Sequence, residues 1–92
     1  MIKSFKCKHT ESLFFDNKVQ CFIAIAKTAR MRLISLDIAT SLNDLRSPPG
    51  NQLESLKGDR KDQHSIRISK QWRICFSFQE GNAYDVEIID YH

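Results

Sequence analysis

The sequence contains little of what marks secreted, membrane or zinc-binding proteins. Its 92 residues include only three cysteines, Cys7, Cys21 and Cys75, an odd number without the paired spacing of a zinc motif. We therefore expect reduced thiols, a cytoplasmic location, and neither a metal ion nor another cofactor. No apolar run is long enough to span a bilayer. The opening residues 1–6 predict a strand rather than a signal peptide.

The length of the chain favours one domain, residues 1–92, with a modest hydrophobic core. Its composition, 41% hydrophobic and 27% charged, is ordinary for a globular protein. Residues 1–35 carry seven Lys or Arg against two acids, and residues 57–75 carry six against two. Two basic blocks separated by acidic ones favour a polyanionic partner, although a solvated surface of mixed charge gives the same pattern.

The first half of the chain predicts two helices. Thr10, followed by an acid, marks a helix start, because a hydroxyl caps free amides and an acid complements the helix dipole. A longer helix is predicted over residues 21–40, where apolar side chains recur at the spacing of one buried face. Its inward residues are Phe22, Ile25, Ala26, Ala29, Leu33 and Leu36. Ser41 and Asp44 resemble a capping box and predict a short helical turn.

After the Pro- and Gly-containing segment 47–51 the hydrophobic pattern changes to a period of two, which predicts strands. A short strand lies between Leu53 and Leu56, and longer ones are predicted over residues 64–68, 72–78 and 82–89. The predicted fold class is therefore α+β, with two N-terminal helices packed on one face of an antiparallel meander.

The last three residues, Asp90, Tyr91 and His92, place an acid, a phenol and an imidazole at the end of the last predicted strand. An imidazole beside a carboxylate is equipped for proton transfer near neutral pH. Hairpin pairing about Gly81 should bring this tail near residues 70–73, within reach of Arg73. We therefore treat the tail as a candidate catalytic element.

If the short strand lies alongside, Glu54 and Lys57 join the same surface. Cleavage of RNA without a metal requires a base for the 2′-hydroxyl, cations for the phosphate and an acid for the departing 5′-oxygen. This group of side chains supplies all three. Each member also has a structural alternative: Lys57 and Arg60 solvate a turn, Glu54 faces solvent, Arg73 pairs across the sheet with Asp85 or Glu87, and His64 is a core histidine.

An ordered set of motifs runs through the second half of the chain: Leu56-Lys57-Gly58-Asp59-Arg60, Ser65-Ile66-Arg67-Ile68, Gln71-Trp72-Arg73-Ile74-Cys75-Phe76, Ala83-Tyr84-Asp85-Val86 and Asp90-Tyr91-His92. Together with the opening residues, these motifs resemble the HigB toxins of the RelE/ParE superfamily over essentially the whole chain. The resemblance implies a microbial RNase-like fold with two N-terminal helices on an antiparallel sheet. It also implies a type II toxin that cuts mRNA in the ribosomal A site.

The same resemblance implies partners and residue roles. The partners would be a HigA-type helix-turn-helix antitoxin, ribosomal RNA and mRNA, with operator DNA reached only through the antitoxin and no membrane. Lys57 and Arg73 would be cations at the scissile phosphate, and Asp90, Tyr91 and His92 the catalytic tail. The residues expected to bind RNA or the ribosome are Lys27, Arg30, Arg32, Arg60, Lys61, Arg67 and Gln71.

The sequence departs from the family pattern at two places. Family members often have His-Pro before Leu-Lys-Gly, where this chain has Glu54-Ser55; a carboxylate can act as a base there but not as a cationic proton donor. Many relatives also have an aromatic pair where Gln63-His64 stands here, which makes His64 a candidate stacking surface.

The leading hypothesis is a metal-independent endoribonuclease, with His92 transferring protons and Asp90 or Glu54 orienting it or acting as base. Two alternatives stay open. One is a ParE-like toxin that acts on DNA gyrase, and the other is a small basic module that only binds RNA or protein. The imidazole together with two convergent cations favours the nuclease.

Overall fold

The structure, a computed structural model, describes residues 1–58 and 62–90. The predicted roles of Arg60, Lys61, Tyr91 and His92 concern residues outside this described part. The regular elements in chain order are α1 (Lys8–Phe14), α2 (Ala26–Ile38), β1 (Glu54–Ser55), β2 (His64–Arg67), β3 (Trp72–Gln79) and β4 (Asn82–Asp90). Short 3₁₀ turns lie at Gln20–Phe22, Leu42–Arg46 and Pro49–Asn51.

The four strands form one antiparallel sheet in the order β1-β2-β3-β4. The tight connection between β3 and β4 consists of Glu80 and Gly81, both at positive φ, 49° and 79°. Such a two-residue turn follows the natural twist of a hairpin. The predicted α+β meander, including the short first strand, is confirmed.

The start of α1 differs from the prediction. The helix begins at Lys8, with Cys7 at its N-cap position and no side-chain cap. Thr10 is fully buried, and its hydroxyl accepts a 3.0 Å hydrogen bond from the backbone N–H of Ile88 in β4. The prediction that Thr10 caps the helix was wrong, because the hydroxyl serves a tertiary contact between helix and sheet instead.

The second helix is shorter than predicted. Residues Gln20–Phe22 form a separate 3₁₀ turn, and α2 begins only at Ala26 because Ile25 leaves helical backbone geometry, at φ −115° and ψ 3°. The turn seats Phe22 edge-on against Trp72, with ring centroids 5.7 Å apart. The inward side chains of α2 are nonetheless those expected, since Ala29, Leu33 and Leu36 are completely buried.

The predicted turn after α2 is present at Leu42–Arg46, but its hydrogen bonding differs from a capping box. The Asp44 carboxylate accepts bonds from the Thr40 backbone N–H, at 2.9 Å, and from the Thr40 hydroxyl, at 3.1 Å. These bonds hold the pKa of Asp44 below its usual value. The carboxylate therefore ties the turn to the end of α2.

The N-terminal segment, predicted as a strand, forms only isolated parallel bridges with β4, Ile2 to Ala83 and Phe5 to Val86. β4 is irregular at this point, since Asp85 has a positive φ of 54° and its N–H donates to the Ser4 hydroxyl at 2.9 Å. Between the pairs Ser77–Tyr84 and Cys75–Glu87, β4 has one residue more than β3. Such a bulge bends the strand and interrupts its regular pairing.

The core lies between the helices and one face of the sheet, where Ile66, Ile74, Phe76, Val86 and Ile88 pack against Leu13 of α1 and the inward residues of α2. In the part of the chain that the structure describes, no helix has the length and apolarity needed to cross a membrane. The other face of the sheet carries polar and charged side chains, among them Ser65 and Arg73.

Candidate active site

The second face of the sheet, called the polar face below, is defined by two rows of residues that lie side by side across the strands. One row runs Glu54, Ser65, Cys75, Glu87, and the other Arg67, Arg73, Ile89. Directly opposed residues in an antiparallel sheet share a face, and alternate residues along a strand do the same. The register thus places Glu54, Arg67 and Arg73 on one surface, as the sequence pattern predicted for Glu54 and Arg73.

Arg73 is the central side chain of the polar face. Only 5% of its surface is exposed, and its guanidinium reaches across β2 toward β1. Its Nε donates to the Ser65 hydroxyl at 2.8 Å, and Nη2 donates to the backbone carbonyl of Gln52. Glu54 Oε2 lies 4.0 Å from Nη2. The guanidinium is therefore fixed in direction by two strands and by the segment that precedes β1.

The backbone around Gln52 supports this arrangement. Gln52 has a left-handed φ of 44°, a conformation that non-glycine residues adopt only at some energetic cost. The preceding Asn51 is buried, and its Nδ2 donates to the Leu45 carbonyl at 3.2 Å. Asn51 thus anchors the loop, and the strained residue after it turns a carbonyl oxygen toward Arg73.

Asp90 lies at the end of β4 beside residues 70–73, as predicted, but it does not share the face of Arg73 on which the predicted catalytic side chains were expected to converge. It is the register partner of Trp72, and its Oδ2 accepts a 3.1 Å hydrogen bond from Gln71 Nε2. Strand alternation directs Asp90 and Trp72 to the face opposite that of Arg73. Gln71, expected to bind RNA, therefore holds the carboxylate at this end of β4.

The remaining predicted cations fall into separate places. Arg32 Nε donates to the Arg67 carbonyl at 3.2 Å, which joins α2 to the same end of the sheet as Arg73. Arg30 instead lies 3.6 Å from Asp16, and Lys27 is exposed beside it on α2. Lys57 is exposed two residues beyond β1.

His64 lies on the helix side of the sheet, not on the polar face. Its ring packs against Phe76 with centroids 6.2 Å apart, and its Nδ1 is 3.3 Å from the Ser55 hydroxyl. Burial lowers the pKa of His64 below its ordinary value of 6.5. His64 is thus a half-buried histidine on the helix side of the sheet and not a member of the core, and its position does not agree with a stacking surface for RNA beside Arg73.

The cysteines are free thiols, with Cys75 buried and Cys21 exposed. Cys21 Sγ lies 3.6 Å from His9 Nδ1. Within residues 1–58 and 62–90, no three His, Cys, Asp or Glu side chains are grouped closely enough to hold a metal ion.

Sequence reasoning missed Ser65, Gln52 and Asn51. Ser65 carried a usable signal, because its place in the predicted strand gives it the same face as Arg73. No sequence signal identified the Gln52 carbonyl, since every residue has a backbone carbonyl and the residue type does not show which one accepts a hydrogen bond. Asn51 was interpreted only as part of a chain-breaking segment.

Comparison with known proteins identifies the family. The HigB-like toxins, described as RelE-like toxins of the type II toxin–antitoxin system HigB, match residues 3–92. The chain belongs to this family. A protein named Toxin HigB-1, from Vibrio cholerae, is 39% identical over 85 residues that cover 90% of both chains. A protein named Endoribonuclease HigB, from Proteus vulgaris, is 38% identical over 94 aligned residues that span all of both chains.

Membership of the HigB-like family confirms the resemblance drawn from the motifs. The α+β architecture, with α1 and α2 packed on the antiparallel sheet, agrees with a RelE-like fold. The protein is a toxin of a type II toxin–antitoxin system, and its partner is an antitoxin.

Proposed function

We propose that this HigB-like toxin is an endoribonuclease that cuts mRNA in the ribosomal A site and thereby inhibits translation. The proposal is supported by the full-length similarity to a protein named an endoribonuclease and by the chemistry of the polar face. A gyrase poison of the same superfamily has no corresponding observation in its favour.

The observation that carries the proposal is the fixed guanidinium of Arg73. Its Nε is bonded to Ser65, its Nη2 to the Gln52 carbonyl, and Glu54 lies 4.0 Å away. Because Arg73 is only 5% exposed, it would act on a phosphorane mainly through its charge, and a cation that is already oriented does this without reorganising during the reaction. The site thus combines a preorganised positive charge with an adjacent carboxylate.

The proposed reaction is attack of a ribose 2′-hydroxyl on its own phosphate. His92 transfers protons between the 2′-hydroxyl and the departing 5′-oxygen. Glu54, on the face of Arg73, or Asp90, at the end of the same sheet on its opposite face, orients His92 or acts as base in its place. Lys57 and Arg73 stabilise the phosphorane, and Tyr91 orients the substrate or stacks on a base. The products are a 2′,3′-cyclic phosphate and a 5′-hydroxyl.

The basic residues around this face are assigned to RNA binding. Arg67 is the register partner of Arg73, and Arg32 donates a hydrogen bond to the backbone carbonyl of Arg67. Arg32 and Arg67 would therefore contact the phosphate backbone next to the scissile bond. Further contacts to mRNA or ribosomal RNA are assigned to Lys27, Arg30, Arg60, Lys61 and Gln71. The antitoxin would be a HigA-type helix-turn-helix protein that alone contacts operator DNA, and the site of action would be the cytoplasm.

The test is primer extension on a defined mRNA in a reconstituted translation system. The protein should produce discrete in-frame cuts only when ribosomes are present. Deletion of His92 and the Arg73→Met substitution should abolish the cuts, with folding of each variant checked by circular dichroism. Arg46→Met, which removes an exposed arginine from a turn far from these residues in sequence, is the matched control and should cut normally.

Two results would contradict the proposal. Intact mRNA in every reaction, from a protein that still arrests cell growth, would favour the gyrase alternative. Full cutting by the protein without His92 would leave the nuclease in place but remove the tail imidazole from its mechanism.

A further inference from the structure

Helix α2 carries apolar side chains on two opposite faces. Its inner face is the buried row Ala29, Leu33 and Leu36. On the outer side, Met31, Ile34 and Ile38 are 56%, 38% and 72% exposed, and their spacing of three and four residues aligns them along one stripe of the helix. We call these residues the outer stripe.

An exposed stripe of this kind is unusual for a helix at a protein surface. Single exposed apolar residues are common and need no explanation. A surface helix, however, normally has a polar side opposite its buried side, and a helix that is apolar on both sides is usually covered. Contiguous apolar patches of this sort mark interaction sites.

A groove continues the outer stripe at the start of α2. It lies between α2 and the segment that follows α1, with a volume of about 580 Å³. Its apolar lining comes from Leu13, Ala26 and Met31. Met31 belongs to both features, so the groove and the stripe form one continuous surface.

The rim of the groove is predominantly positive. It includes Lys18, Lys27 and Arg30 but only one acid, Asp16. Asp16 lies 3.6 Å from Arg30 Nε, with 80% of its side chain exposed. A single ion pair with an exposed carboxylate contributes little stability, so a carboxylate from a partner can compete with Asp16 for the Arg30 side chain, which is 39% exposed.

We propose that the outer stripe and this groove are the docking site of the antitoxin and receive an acidic amphipathic helix from it. An amphipathic helix places its apolar side chains in such a groove, and glutamates or aspartates on its flanks would meet Lys18, Lys27 and Arg30. This inference concerns the antitoxin that the toxin family requires and does not depend on the proposed nuclease activity.

Two other occupants fit the surface less well. A second copy of this chain, related by a two-fold axis, would bring the same three cations against each other, and like charges in an interface oppose association. RNA would find cations at the rim but would leave the apolar stripe without a matching partner, since nucleic-acid backbones are recognised through their phosphates.

The test uses the toxin purified together with its antitoxin, followed by measurement of the affinity of single toxin variants for that antitoxin. Met31→Glu and Ile38→Glu should each weaken the complex at least tenfold, because each places a charge in the apolar contact. Lys27→Glu should slow association and reduce its dependence on salt. Gln79→Glu is the control, since it adds the same charge to an exposed position at the end of β3, outside both the outer stripe and the groove lining, and should change affinity less than twofold.

The possible outcomes separate this inference from the proposed function. Unchanged affinity in both stripe variants overturns the docking site. If light scattering shows that the wild-type protein is a dimer and that Met31→Glu is a monomer, the surface would instead be assigned to self-association. The Ile38→Glu variant, whose substitution lies outside the groove that contains Lys27 and Arg30, should cleave mRNA normally in the translation assay. If the wild-type protein does not cleave but the affinity pattern holds, the docking site stands and the nuclease proposal fails.

Discussion

Replacing Ser65 with alanine tests whether the polar face is built around Arg73. The substitution removes the hydroxyl that accepts the 2.8 Å hydrogen bond from Arg73 Nε. Ser65 is completely buried and Arg73 is 5% exposed, so water cannot readily replace the lost acceptor. Hydrogen bonds to charged groups contribute about 1.5–3 kcal/mol, and we expect Ser65→Ala to lower the free energy of unfolding by about that amount.

The assay is urea unfolding followed by the fluorescence of Trp72, the single tryptophan of the chain. Trp72 packs against Phe22 and so reports on the contact between helices and sheet. A loss of this size in a chain of this length lowers the melting temperature by roughly 10 °C. Ser65→Thr retains the hydroxyl and should recover most of the stability.

A double-mutant cycle with Arg73→Met tests whether the stability lost in Ser65→Ala comes from the hydrogen bond to Arg73. With the guanidinium absent, Ser65→Ala should lower stability by only about 0.5 kcal/mol, leaving a coupling energy of about 1–2.5 kcal/mol between the two sites. If Ser65→Ala is equally destabilising in both backgrounds, the hydroxyl does not hold Arg73 and the reasoning is refuted. In the nuclease, the same variant should lower kcat more than it raises KM, because orientation of the cation acts on the transition state.

Three further predictions concern the fold. Gly81→Ala should lower the free energy of unfolding by about 1–2 kcal/mol in urea, because φ of Gly81 is +79° and a Cβ there would lie 3.2 Å from the backbone carbonyl oxygen of Thr40. Gly50→Ala should have little effect, because a Cβ at that position would have no atom within 4 Å. Thr10→Val should lower stability by about 1–3 kcal/mol by leaving the Ile88 N–H without its acceptor, and normal stability would contradict that role. Burial lowers the pKa of His64 from 6.5, so just below that pH the unfolded chain binds more protons than the folded chain. The free energy of unfolding should therefore fall as the pH drops through this range. In His64→Phe, the urea concentration at the midpoint of unfolding should depend less on pH between pH 7.5 and 5.

Patterns local to the sequence determined the sheet. Alternation from Trp72 to Phe78 fixed which side chains of β3 face the helices, and the Glu80-Gly81 turn fixed the register of the hairpin from Gln79–Asn82 to Ser77–Tyr84. These features depend only on neighbouring residues, because strand period and turn geometry are local properties. The inward row of α2 was predictable for the same reason.

Family membership was also determined by the sequence, since the ordered motifs of the second half survive the changes at Glu54 and His64. The face occupied by His64 follows from the same alternation, which sets it with Ile66 and away from Arg73.

Only the tertiary structure decided the use of side chains whose partners lie far along the chain. Thr10 is a buried acceptor for β4 and not a helix cap, because Ile88 lies 78 residues away. The direction of Arg73 depends on a backbone carbonyl of Gln52, 21 residues earlier. The exposure of Met31, Ile34 and Ile38 likewise became known only from the structure, because α2 has apolar residues on two sides and only one of them packs against the sheet. Local sequence sets which face a residue occupies, but contacts between distant segments set what that residue does there.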